Sequence, residues 1–549
     1  MKKIIYTIAL LATTGLQAQV LNVNNNDGTF LPVETAETKD ITFDEASKIV
    51  TLSLNGGIQH CFHTGKVVSI SPKTDKSTQL IYKLNPEVAF DDNDKKIFNE
   101  QTEVIPDTET NDNDYGDFVE KYSVIKENVI NITFSENSVT VTGDIPYTKN
   151  GTHLTINSTK SKVGYIISGK CSNGSLKIYS DKKFQIMLSG LDLTNQNGPA
   201  INIQTGKTVY FTIDDNTTNN LCDGAAYNAT TNGEDQKGTL FSEGQLIFNG
   251  YDDGTGILNV TSLGGHGICS DDYIRIRSGN INIIKAAKDG FHTNDKFIVG
   301  RTAKASPKVT VNATNNGIDC GKGEIIIDAG ILELTTGGEA IKVSNEDTDP
   351  AVTANATING GYIKFTTTGE KSSGIKTIGT YKQNGGIIHG TVKGDGSKII
   401  NSDGDIIFVG GKLIGFSQGT VFENSTLAGG VKCEGNMEVQ NGAIAIECTG
   451  KGAKGINSAN ISITGGDITI LSTGSIYTNS RETRESISID TGNLTITNGT
   501  LKLKAHGNVI SASKVSLFKG ALHAISDNDI AIDAIISQSG GWLLTKENH

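Results

Sequence analysis

A short phrase recurs along this chain: Gly267-Ile268-Cys269-Ser270, Gly290-Phe291-His292, Gly317-Ile318-Asp319, Ala340-Ile341-Lys342 and Gly374-Ile375-Lys376. The first four copies begin 23, 27 and 23 residues apart. A period in the twenties marks a solenoid, in which each coil buries its apolar face only against its neighbours. A chain of 549 residues is too long for one compact core, and one-dimensional growth removes that limit. Between the copies lie strand-like runs and a Gly turn, such as Ile274-Arg275-Ile276-Arg277-Ser278-Gly279 followed by Asn280-Ile281-Asn282-Ile283. Strict alternation of this kind signals a half-buried strand.

These features predict an all-β chain, a right-handed parallel β-helix. Inward residues of successive coils then stack at the strand spacing of ~4.8 Å and form aliphatic ladders. Gly and Asn supply the positive backbone angles of the corners. With 64 Gly but only 8 Pro, the composition excludes collagen and suits a long hydrogen-bonded sheet. One Trp and 6% aromatic residues argue against a surface built on stacked Trp platforms.

Four segments follow from a pass along the chain. Residues 1–18 read as an export signal, with Lys2 and Lys3, an apolar Ile4-to-Leu11 stretch and a Leu16-Gln17-Ala18 cleavage site. That stretch is too short to span a bilayer, and no other apolar run is long enough. Residues 19–89 read as a small β module, on runs such as Lys48 to Leu54 and Val67 to Ile70, available to a cell-surface partner. Residues 90–119 are acidic and polar and read as a linker. Residues 120–549 form the solenoid. The location expected is outside the cell, at its surface or in the periplasm. A formal net charge of −12 disfavours nucleic acid and anionic membrane as partners.

The seven cysteines match no zinc ribbon or redox spacing and read as small buried residues of stacked coils, with a Cys269–Cys320 bridge left open. Asp271, Asp272, Asp289, Asp295 and Asp319 recur near turns of neighbouring coils. Stacking brings such acids together, where they repel unless a cation lies between them. Calcium takes six to eight oxygens and suits that set, whereas the alternative has each Asp capping its own turn. Arg275 and Arg277 sit two apart on one strand, and an Arg fork suits a carboxylate. His266 and His292 read as lone surface or packed residues. No Ser-His-Asp or paired-carboxylate hydrolase signature is present.

Several blocks resemble a known family: Gly198-Pro199-Ala200-Ile201, Asn219 to Tyr227, Thr239-Leu240-Phe241-Ser242, Gly265 to Ile274, and Ala287-Lys288-Asp289-Gly290-Phe291. Together, in this order, they are similar to the secreted bacterial carbohydrate-binding β-helix proteins of pectate-lyase-like fold that bind acidic plant polysaccharide. The resemblance covers about residues 120–345. It implies calcium, polygalacturonate-type ligands, and Asp271, Asp272, Asp289 and Asp319 as candidate calcium ligands. The chain departs from the family at Glu243-Gly244-Gln245-Leu246, where Lys-Asp-Asp-Leu is expected. It departs again at Asn315-Asn316-Gly317-Ile318-Asp319, where Asp-Asp-Gly-Ile-Asp is usual.

The resulting expectation is non-catalytic, calcium-assisted binding of uronate-containing polysaccharide, with Arg275, Arg277 and Lys288 as ligand-binding cations. Two rivals stand beside it. A calcium-dependent polysaccharide lyase would need a base near the sugar, for which Arg275 or Lys288 is the proposal, without a motif marking either. An adhesin or surface spacer would use the coils as scaffold only.

Overall fold

A computed structural model describes short strands between residues 20 and 73, and residues 127–546 apart from 231–232, 252, 301–305, 347, 350 and 423–426. The export signal and the acidic linker expected at 1–18 and 90–119 lie outside the described residues. The described residues contain strands and no helix, so none has a helix long and apolar enough to cross a membrane. By compactness the described chain divides into two units, one of residues 127–394 and 399–404, the other of the strands within 20–73 with 395–398 and 405–546.

In the first unit the alternating runs become parallel strands, each paired with its equivalent one coil later. The recurring phrase forms one ladder: Leu154, Leu176, Ile201, Leu240, Ile268, Phe291, Ile318, Ile341, Ile375 and Ile400 face one another in register. A second ladder runs Phe184, Val209, Leu246, Ile274, Phe297, Ile325, Ala356 and Tyr381. A third runs Leu221, Val260, Ile283, Val311, Leu334, Phe365 and Gly390. Three ladders per coil define a parallel β-helix. Nearly every rung is fully buried, and each such side chain contributes about 1.5–3 kcal/mol. Size is balanced between rungs: Phe365 fills the space where a side chain at Gly374 or Gly390 would clash with its ring.

At the corner ahead of the third strand, Gly279, Gly330 and Gly361 adopt positive φ of 101°, 106° and 84°, and Pro307 takes the same place in the coil between Gly279 and Gly330. Cysteine placement follows the same alternation. Cys269 lies between inward Ile268 and Ser270, and Cys320 falls in register with inward Thr293 one coil beyond Cys269's neighbour His292. The two thiols therefore belong to opposite faces two coils apart, and both are free, so the Cys269–Cys320 bridge does not form. All but Cys61 and Cys222 of the seven cysteines are buried.

The second unit continues the same pattern on its own ladders, for example Leu413, Ile444, Ile468, Leu501, Leu522 and Leu543. Its N-terminal strands form two antiparallel groups. Val20–Asn25 pairs with Phe30–Glu34 and Val67–Lys73. Thr38–Asp44, Ile49–Leu54 and Gln59–His63 pair in sequence, and Gln59–His63 lies antiparallel along Trp542–Lys546. That contact covers the edge of the last parallel strand, which would otherwise offer unpaired backbone groups.

Candidate metal and glycan site

The strand that carries the recurring phrase positions the chemistry. Its core residue alternates with an outward one, so Phe241, Cys269, His292, Asp319, Lys342 and Lys376 form one outward column. The residue just before the recurring Gly forms a second column at the corner. Gly267 N–H donates to Asp289 O (3.0 Å), Gly290 N–H to Asn316 O (2.9 Å) and Gly317 N–H to Glu339 O (2.9 Å), which stacks His266, Asp289, Asn316 and Glu339. The turn after the strand forms a third, in which Asp295 N–H donates to Asp272 O at 2.9 Å.

The five acids expected from sequence divide among these three columns. Asp271 and Asp272 sit in the turn, with Asp295 one coil on. Asp289 is at the corner and Asp319 is in the strand. Among the described residues, Asp271 meets two acids that sequence reasoning did not select: carboxylate oxygens of Asp235, Glu243 and Asp271 lie within 4.8 Å of one another. Lys237 lies against this trio, with Nζ 2.7 Å from Asp235 Oδ2 and 2.6 and 2.7 Å from the Asp271 oxygens. Burial would lower the Lys237 pKa, but the two carboxylates outweigh it and raise it. Burial raises the Glu243 pKa, and Asp271 and Asp235 add to the rise. Glu243 opens the block at which the chain departs from the family pattern, where one acid at the first position stands in place of the two expected at the second and third. The adjoining loop is pinned by buried Asp223, whose carboxylate accepts from Tyr227 Oη and from Ser262 Oγ (2.5 Å).

Asp272 accepts from Gln245 Nε2 at 2.7 Å. Burial raises its pKa, and the carboxylate of exposed Asp295 pushes the same way. Five carboxylates thus line the turns of three successive coils (Glu243, then Asp271 and Asp272, then Asp295) and the loop before the first (Asp235), with one ammonium between Asp235 and Asp271.

Asp289 has different company. Its Oδ2 lies 3.0 Å from His266 Nδ1 and 3.5 Å from His292 Nδ1. Its Oδ1 accepts from Asn316 N–H at 2.9 Å. Burial would raise the Asp289 pKa, but the two imidazoles outweigh it and hold it well below the usual range. Burial pushes the His266 pKa down despite that bond. Asp319 Oδ2 accepts from Asn316 Nδ2 (2.9 Å) and from Lys342 Nζ (3.1 Å). Burial raises the Asp319 pKa against the pull of Lys342.

The cations expected to hold glycan also separate. Arg275 is 2% exposed, with Ile247 and Ile298 as its register neighbours, so its guanidinium is not presented to a polymer. Arg277 falls just past the strand end and is half-buried, and Lys288 is exposed at the turn beside Asp289.

A family model described as carbohydrate-binding domain-containing protein matches residues 150–305 and again 303–476. The chain belongs to this carbohydrate-binding family. Asp235, Glu243, Asp271, Asp272, Asp295 and the His266–Asp289–His292 corner fall inside the first match, and Asn316 and Asp319 inside the second. A solved structure, described as the polysaccharide lyase-like protein from C. thermocellum in a gadolinium derivative, is 20% identical over 50% of this chain and 95% of that one, with a TM-score of 0.38. No curated protein matches this chain.

Proposed function

We propose that this carbohydrate-binding chain retains acidic, uronate-containing polysaccharide outside the cell, and that calcium bound at the Asp235–Glu243–Asp271 turn assists it. The observation that carries the reading is the oxygen-only trio, with Asp272 and Asp295 adjoining. Four carboxylates in excess of one ammonium repel each other, and a hard divalent cation relieves that repulsion using the ligand type it prefers. Asp235, Glu243 and Asp271 would hold the ion, with carbonyls and water completing its shell and Lys237 giving way.

An acidic protein and an acidic polymer repel at long range. A calcium ion with open positions supplies the missing attraction, because a uronate carboxylate can complete its coordination. Exposed Lys288 adds a direct cation for the same polymer. Binding rather than cleavage is favoured because Arg275, one of the two bases weighed for a lyase, is buried.

Affinity electrophoresis through gels containing polygalacturonate tests the proposal. Retardation in calcium, its loss on chelation, and no retardation by a neutral polymer are the expected results. Equal retardation with and without chelator would remove the calcium bridge, and release of unsaturated ends from the polymer would favour the lyase.

A further inference from the structure

The corner at Asp289 gathers a donor set that calcium does not prefer. One nitrogen from each of His266 and His292 and one Asp289 oxygen lie within 4.8 Å of one another. The repeat brings them there. His266 and Asp289 are the residues before the recurring Gly in consecutive coils, and His292 is the outward residue of the strand that Asp289 opens. The two imidazole rings stack with centroids 4.6 Å apart at 27°, which fixes their orientation without a bound ligand.

We propose that His266, Asp289 and His292 form a site for a borderline divalent transition metal of the zinc class, distinct from the oxygen-only calcium cluster. Zinc binds imidazole nitrogen and carboxylate oxygen at about 2.0–2.2 Å, and a tetrahedron of such bonds has edges of roughly 3.3 Å. The two Nδ1–Oδ2 separations, 3.0 and 3.5 Å, straddle that edge. Calcium, which takes six to eight oxygens, gains little from a site where two of three donors are nitrogen.

Further observations mark this corner. The Asp289 N–H donates to His266 Nδ1 at 3.3 Å, a long bond to the lone pair that a metal would take in its place. His292 Nδ1 is buried with no hydrogen-bond partner. Asp319, the register neighbour of His292, is 4% exposed, and its Oδ1 is likewise buried without a partner. Unpartnered electron pairs on His292 Nδ1 and Asp319 Oδ1 are thus buried at this corner, and a divalent ion held by His266, Asp289 and His292 satisfies the first directly. The Asn316 N–H bond to Asp289 Oδ1 is the outer contact that orients a ligating carboxylate. Three protein donors leave a fourth position for water or for an oxygen of a bound glycan.

Cobalt(II) absorption spectroscopy on the untagged full chain tests this. The expected result is one cobalt ion per chain with the intense bands of a four-coordinate site, displaced by zinc and not by a large excess of calcium. His266→Asn and His292→Asn should each weaken binding at least about tenfold, while His389→Asn leaves it unchanged. X-ray absorption of the zinc-loaded wild type needs no variant and should give two imidazole shells with oxygen at about 2.0–2.2 Å. The proposal is overturned if no such bands form, if they survive both histidine variants, if calcium displaces the ion, or if the zinc shell lacks imidazole. Because none of these readouts uses glycan or the Asp235–Glu243–Asp271 turn, failure of the calcium proposal leaves this one standing, and the reverse.

Discussion

Replacing Gly290 by alanine probes how closely the coils are stacked beside the site. A Cβ there would lie 2.3 Å from Val311 Cγ1 and 2.7 Å from Gly317 O, against ordinary contacts of 3.4 Å and beyond. The overlaps are therefore about 1.1 and 0.7 Å. Val311 is a rung of the third ladder, and the carbonyl is backbone of the next coil, so neither can swing aside without opening the stack. Overpacking of this kind costs about 1–3 kcal/mol. Reduced freedom of the unfolded chain returns only about 0.4–1 kcal/mol. Gly206 is the control, because a Cβ there meets nothing within 4 Å. Thermal denaturation followed by far-UV circular dichroism should show Gly290→Ala melting several degrees below the wild type, and Gly206→Ala at or slightly above it. A Gly290→Ala protein as stable as the wild type would refute the stacking argument.

Further expectations concern charge and core. Burial pushes the His523 pKa down to about 4. The unfolded chain takes up that proton below about pH 6.5, whereas the folded chain does so only near 4. Stability should therefore fall as pH drops through this window, by up to ~3 kcal/mol, and urea midpoints of His523→Leu should fall less over the same range. Lys237→Met removes the ammonium from the acid trio. In chelator it should lower stability by about 1 kcal/mol, since the pair is partly exposed, and calcium should raise its melting temperature more than it raises that of the wild type. An equal calcium response in both would count against an ion replacing the lysine. Asp272→Asn relieves a half-buried acid held beside Asp295, so calcium-free stability should be unchanged or higher, measured by the same melts. Ile318→Ala deletes a fully buried rung and should cost about 2–5 kcal/mol in urea denaturation.

The solenoid was legible because its signal is redundant. The inward residue of the recurring phrase (Ile268, Phe291, Ile318, Ile341) sits in one register ladder, so the sequence period and the structural period coincide. The site was legible only in part. Asp271 and Asp272 do stand at a coil turn with Asp295 one coil beyond, but Asp289 precedes the strand and Asp319 lies within it. Nearness in sequence to a turn did not distinguish these three positions, whereas register does. His266 and His292 looked isolated because 26 residues separate them. The available signal was that His266 and Asp289 each directly precede a recurring Gly, one period apart. Asp235 and Lys237 had no such signal, since they lie in an irregular loop outside the repeat. Arg275 alternates as an outward residue should, yet it is buried, and alternation alone does not reveal what covers a strand.

A crystal structure of the chain grown with calcium and an oligogalacturonate would show whether a metal bridges protein and polymer. Calcium should lie about 2.3–2.6 Å from oxygens of Asp235, Glu243 and Asp271, with the Lys237 ammonium moved off and a uronate carboxylate on the same ion. Lys237 still bridging Asp235 and Asp271 with no ion beside them, in crystals that hold the sugar elsewhere, would contradict the calcium bridge.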